Sequence, residues 1–160
     1  DTPVPRDHTI TIGAGESVML DGITVWAFYS KPPEGDPEAG IRPPNVTHLG
    51  YVIAMAGIRL YVTGDAINTL ADHDELLEPI AALHPDIGFL TTHPTEGEFP
   101  FFEGSVLLAQ KLGLKTAVPS HYACFVKRTY DPQVWGAMFP PDGPTPLIIR
   151  HNSHVIYRGA

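Results

Sequence analysis

Three residues with metal-ligating or acid–base side chains close apolar, strand-forming runs in this sequence. Asp65 follows "RLYVTG", His93 follows "DIGFLTT" and His121 follows "KTAVPS". A carboxylate offers two oxygens and a neutral imidazole one nitrogen, so such groups can hold a divalent cation or move a proton. Taken singly, Asp65 also fits a turn aspartate that bonds its own backbone, a common use of Asp after Gly. His93 likewise fits a solvated loop. What separates the readings is whether the three runs lie side by side, because loops at strand ends are where such sheets gather functional groups.

The elements needed for that arrangement are legible. Glu16–Leu20 and Gly22–Tyr29 read as two strands joined at Asp21-Gly22, a strong hairpin signal. Lys31–Asn45, "KPPEGDPEAGIRPPN", holds five prolines and two glycines and must be a long surface loop of the kind that serves as a lid or recognition loop. "HLGYVIAM" and "IRLYVTG" form a second hairpin about Ala56-Gly57, and their lack of polar alternation predicts strands covered on both faces. Asp72–Leu83 places Leu76, Leu77, Ile80, Ala81 and Leu83 on one helical face, with Asp72 or Asp74 as cap and Pro79 forcing a kink or a late start. A buried strand "DIGFLTT", a helix "FFEGSVLLAQKLG" stopped at Gly113 and the strand "KTAVPS" follow. Asp131-Pro132 starts another helix, and "PLIIRHNSHVIYRG" reads as a closing hairpin. This order predicts an α/β fold, a mixed sheet with helices packed on it. A cupin-like or other β-rich metal-binding fold would not place helices between the strands.

The bulk numbers remove several functions. At 160 residues the chain suits one domain. Its formal charge of −8 and its single adjacent basic pair, Lys127-Arg128, argue against nucleic acid as a partner. No apolar run is long enough for a membrane-spanning helix, and no secretory signal is visible. Cys124 is the only cysteine and reads as a small buried apolar residue, so an intrachain disulfide and a Cys-based zinc cluster are both excluded. A reducing, cytoplasmic setting is therefore expected. With eight histidines present, nitrogen and carboxylate ligands would have to hold any metal.

The run "THLGYVIAMAGIRLYVTGDA", then a helix, a buried strand and "LKTAVPSHYACF", resembles the C-terminal half of the metallo-β-lactamase superfamily. Within it, the likeness is to the branch of L-ascorbate 6-phosphate lactonase and related metal-dependent hydrolases, and it runs in element order from about Val4 to Tyr157. The resemblance implies the C-terminal half of an αβ/βα sandwich. It also implies that Asp65 and His121 are metal ligands and catalytic residues, with Mn or Zn as cofactor and two metal ions as the common arrangement. The implied reaction is hydrolysis of a lactone or other ester-like carbonyl by a hydroxide held on the metal. The superfamily's His-x-His-x-Asp-His signature does not occur here; the chain has no His-x-His, and Asp7-His8, its Asp-His before the proline-rich loop, reads as a turn. What stands here resembles an incomplete domain carrying half a metal site. His48, beside the second hairpin, is the candidate third ligand, and Ser30 stands roughly where one family variant has that ligand.

Several other residues bear on a substrate. His93 and Glu96, with Glu98 nearby, could line the pocket, and Lys127 and Arg128 could meet an anionic or phosphorylated small molecule. Tyr122 is expected to pack. His73 and His84 flank the first helix as surface residues, and His151 and His154 sit at an exposed hairpin tip. Two functions follow. One is a metal-dependent hydrolase whose missing ligands come from an N-terminal segment, cleaved but associated, or from a separate chain. The other is a non-catalytic binding module built on the same half-sheet. Either way an apolar sheet face would lie uncovered, so the chain is expected to pair with the missing half or to self-associate.

Overall fold

A computed structural model describes residue 5 and residues 8–95, 99–123 and 129–158 of the chain. Seven strands form one mixed sheet in chain order: β1 (Ser17–Leu20), β2 (Ile23–Tyr29), β3 (Leu49–Met55), β4 (Ile58–Val62), β5 (Ile87–Thr91), β6 (Thr116–Ser120) and β7 (Thr145–Pro146). The first four pair antiparallel, with Val25 opposite Ile53 and Ile53 opposite Leu60. From β4 onward the pairing is parallel, with Val62 opposite Phe89 and Phe89 opposite Val118. The first two predicted hairpins are present, and each turn takes left-handed backbone at a non-glycine residue, Asp21 (φ 47°) and Ala56 (φ 51°).

Parallel neighbours need crossovers, and helices provide them. Helix α1 (Asp74–Ala81), after a 3₁₀ turn at Leu70–Asp72, links β4 to β5; α2 (Phe102–Lys111) links β5 to β6. A short helix, α3 (Pro132–Gly136), precedes β7. Pro79 is carried inside the last turns of α1, which starts only at Asp74. Neither expected aspartate caps it. His73 occupies the cap position without a side-chain bond, and its carbonyl accepts from the N–H groups of Leu76 and Leu77. The Asp74 carboxylate instead accepts a 2.7 Å bond from Lys111 Nζ on α2. Helix α2 ends as predicted: Gly113 N–H returns to the Gln110 carbonyl and Leu114 N–H to that of Ala109, a Schellman closure. Asp131 caps α3, its carboxylate accepting from Gln133 N–H at 2.9 Å.

All three helices cover one face of the sheet. Leu77 and Ile80 of α1, Leu108 and Ala109 of α2 and Trp135 of α3 meet Val52, Tyr61, Leu90 and Ala117 of the strands. Trp135 is fully buried, and its indole N–H donates to Ser105 Oγ at 2.6 Å, which satisfies the one polar atom that burial would otherwise strand. The opposite face carries Ile53, Leu60, Phe89, Ile149 and Tyr157 around an open apolar groove of about 290 Å³. No helix among the described residues is long and apolar enough to cross a membrane.

The C-terminal segment departs from expectation. Residues 147–158 contain a turn, with Ser153 N–H bonded to the Arg150 carbonyl, but no paired strands. The backbone at Thr145 and Leu147 donates to Lys115 and Ala117 of the β6 side. That bonding goes to the sheet edge and leaves residues 153–158 without a ladder. A two-residue strand ending in Pro146 suits an edge, because proline has no N–H to give a further neighbour.

Candidate metal centre

Strand direction sets the site. Because β2 and β4 run the same way and β4, β5 and β6 are parallel, the C-terminal ends of all four open on one end of the sheet. The proline-rich loop, the Gly64-Asp65 turn and the segments after Thr91 and Ser120 all emerge there. Three hydroxyl side chains tie these ends together. Thr91 Oγ1 donates to the Gly64 carbonyl at 2.7 Å and lies 3.1 Å from Ser120 Oγ, while Thr91 N–H donates to Thr63 Oγ1 at 3.0 Å.

The turn that presents Asp65 requires glycine before it. Gly64 has φ +61°, and a Cβ there would lie 2.4 Å from the Leu49 carbonyl oxygen of β3. The chain therefore passes against β3 and turns out, leaving Asp65 51% exposed at the strand end. His121 is presented differently. It takes left-handed backbone itself (φ 65°), as does Ala123 (φ 58°), so the β6 strand ends in an abrupt reversal. The intervening Tyr122 anchors that reversal: its hydroxyl donates to the Ile149 carbonyl and its ring packs 6.0 Å from Tyr130. Phe99 lies edge-on to the His121 ring at 5.2 Å.

This construction brings His121 Nε2 to 3.6 Å from Asp65 Oδ1. The separation is too long for a hydrogen bond. It is close to the ~3.4 Å between two atoms that share a tetrahedral metal at bonds of ~2.1 Å. One carboxylate and one imidazole, each partly open to solvent, thus fit two positions of a divalent-metal site. Among the described residues, no group of three His, Cys, Asp or Glu side chains could hold a metal ion. Near Gly64, the hydroxyl of fully buried Ser30 has no hydrogen-bond partner among the described residues. Its carbonyl and N–H fasten the neighbouring loops, bonding to Ile67 N–H and to the His48 carbonyl at 3.0 Å each.

The remaining sequence candidates are placed as follows. His48 is half-buried and lines a cavity of about 540 Å³ under the proline-rich loop together with Lys31, Arg42, Asn45 and Asn68. His93 is 5% exposed and stands edge-on to Tyr130, 5.9 Å away, within an aromatic group that includes Phe102 and Tyr122. Glu96 and Glu98, Lys127 and Arg128, Cys124 and Asp7 lie outside the described residues. His84, His151 and His154 are exposed.

His73 is not the surface residue its flanking position suggests. Its ring lies between Asp36 Oδ2 at 3.1 Å and Glu75 Oε1 at 3.0 Å, where the folded proline-rich loop covers it. Asp36 also accepts from Thr69 Oγ1 at 2.6 Å and from Ala39 N–H at 3.1 Å. The Thr69 hydroxyl, then the Ala39 amide and, against the cost of burial, the His73 ring hold the Asp36 carboxyl below its usual range. A loop aspartate and a helix-flanking histidine so far apart in sequence carry no local signal of pairing. The Thr63, Thr91 and Ser120 hydroxyls were equally silent, since threonine in a strand reads as ordinary β propensity.

No protein-family model matches the chain, and no curated protein sequence matches it. Solved structures do. Isothiocyanate hydrolase from Delia radicum gut bacteria superposes with a TM-score of 0.68 over 94% of this chain and 59% of its own length, at 15% identity. Igni18, a metallo hydrolase from Ignicoccus hospitalis, gives 0.63 over 88% and 57%, at 18% identity. A proposed Zn-dependent hydrolase of the metallo-β-lactamase superfamily from Thermotoga maritima gives 0.60 over 86% and 70%, at 13% identity. The chain thus spans well under two thirds of the length of the first two. Its sheet, its crossovers and the coverage of these superpositions agree: the chain has the metallo-β-lactamase fold.

Proposed function

We propose that this chain is the C-terminal part of a metal-dependent hydrolase of the metallo-β-lactamase superfamily, with Asp65 and His121 as two of its metal ligands. The observation that supports this reading is the 3.6 Å approach of His121 Nε2 to Asp65 Oδ1 at the open end of the sheet. When bound, a divalent ion supplies Lewis acidity toward water and toward a substrate carbonyl. An oxygen-and-nitrogen donor set suits Mn or Zn.

The chain's own part is positional. The Thr63–Thr91–Ser120 hydroxyl chain fixes the strand ends that carry both ligands. Phe99 stands perpendicular to the His121 ring, 5.2 Å away, and packs against it. Asp65, with one oxygen toward His121, keeps a second oxygen for a further metal or for a proton. The substrate proposed is a lactone or other ester-like carbonyl compound.

Two donors are too few for a tight site, since catalytic metal sites of this kind use at least three protein ligands. We assign the others to a segment homologous to the remainder of the longer structural neighbours, seated on the apolar face around Ile53, Leu60 and Phe89. Elemental mass spectrometry of the isolated protein, with intact masses of everything that co-purifies, tests this. Bound Mn or Zn with a second polypeptide supports a split hydrolase; a metal-free, single 160-residue species would overturn it in favour of a binding module.

A further inference from the structure

The proline-rich loop is folded, and its fold builds a cavity. Asp36 and Ile41 exchange two backbone hydrogen bonds, of 2.9 and 2.7 Å, that close the loop on itself. Gly35 sits inside that closure at φ +75°, where a Cβ would lie 2.6 Å from the backbone of Ile41, Arg42 and Pro43. The Asp36 carboxylate then fastens the loop to Thr69 and His73. Each constraint holds the backbone that carries Arg42. The wall is formed before any ligand arrives, which lowers the entropic cost of binding.

The open cleft that results, about 540 Å³, is of the size that takes a small metabolite. Its chemistry is one-sided. Lys31, Arg42 and His48 line it and no Asp or Glu is among its described lining residues, although the chain carries eighteen acids against ten Lys and Arg. No carboxylate among the described residues lies within ion-pair distance of Arg42. Asn68 also lines the cavity.

We propose that this cavity binds a small oxyanion. Arg42 takes the anionic oxygens through its planar fork, and His48, Asn45 and Asn68 flank them. The cavity lies at the same end of the sheet as Asp65 and His121. Its role as the anchor for one end of a substrate rests on the hydrolase reading; its capacity to bind the anion does not.

The test is a titration of the isotope-labelled chain, in chelator-treated buffer, with acetate, glycolate and inorganic phosphate, followed by amide chemical shifts. The anion that fits is expected to give saturable shifts at Arg42, Asn45 and Asn68, and Arg42→Ala to weaken every anion by about tenfold or more. Phosphate binding tighter than glycolate would identify a phosphoryl headgroup, and the reverse a carboxylate. Absence of saturable shifts at these residues, or unchanged affinity in Arg42→Ala, would overturn the proposal. Anion binding that persists while Asp65 and His121 fail to bind metal would sink the hydrolase reading alone.

Discussion

Asp36 Oδ2 and His73 Nε2 lie 3.1 Å apart, joining the middle of the proline-rich loop to the residue that opens α1. The Asp36 carboxyl is held below its usual range, first by Thr69, then by Ala39 N–H, with His73 adding to them. A carboxyl whose folded-state pKa is depressed contributes stability above its unfolded value of ~4 and loses it as pH falls through the folded value. Asp36→Asn should therefore melt at lower temperature than the parent at pH 7, with the gap closing as pH drops below ~4. A gap of constant size over that range, in melts followed by circular dichroism, would contradict the assignment.

Gly64 is the position where the backbone geometry of the site is tightest. Gly64→Ala must push the turn off the Leu49 carbonyl and also hold alanine at positive φ. A destabilisation of about 2 kcal/mol or more is expected, with amide shifts at Asp65 displaced. Denaturant unfolding measures the first and the labelled chain the second; a variant matching the parent in both would show that the turn is slack.

Tyr61 offers the opposite case. Its ring is fully buried in the core under the helices, its hydroxyl has no partner among the described residues, and burial holds the phenol well above its normal pKa. Tyr61→Phe removes a stranded polar atom and keeps the ring. Stability should stay within ~0.5 kcal/mol or rise by up to ~1 kcal/mol. A loss beyond 1.5 kcal/mol would mean the hydroxyl has a partner, such as a buried water.

Much of this was legible in the residues. Asp21-Gly22 and Ala56-Gly57 marked hairpins because short turns demand special backbone, and Asp131-Pro132 marked α3 through capping chemistry. The end-of-strand positions of Asp65 and His121 followed from apolar runs closed by polar residues. What stayed hidden was long-range. Nothing local to Asp36 announces His73, and nothing in "RPPN" announces that Arg42 and Asn68 face one cavity. The closing hairpin misled because apolar runs about a turn usually pair, whereas here the sheet edge takes the backbone bonds first.

The open apolar groove opposite the helices predicts association. Leu60→Glu places a charge in the groove shared with Ile53 and Phe89. In sedimentation velocity the parent chain alone should form dimers or larger species, and the variant should shift toward monomer, at a stability cost of about 1 kcal/mol or less for a half-buried site. A parent that is strictly monomeric at high concentration would remove the case for a partner on this face.

The central claim is that Asp65 and His121 ligate one metal, and paramagnetic broadening by Mn²⁺ tests it even where two donors bind weakly. Substoichiometric Mn²⁺ added to the isotope-labelled chain should broaden amides at 64–66 and 120–122 first, and Asp65→Ala or His121→Ala should each abolish the effect. Broadening centred elsewhere, or surviving both substitutions, would contradict the account.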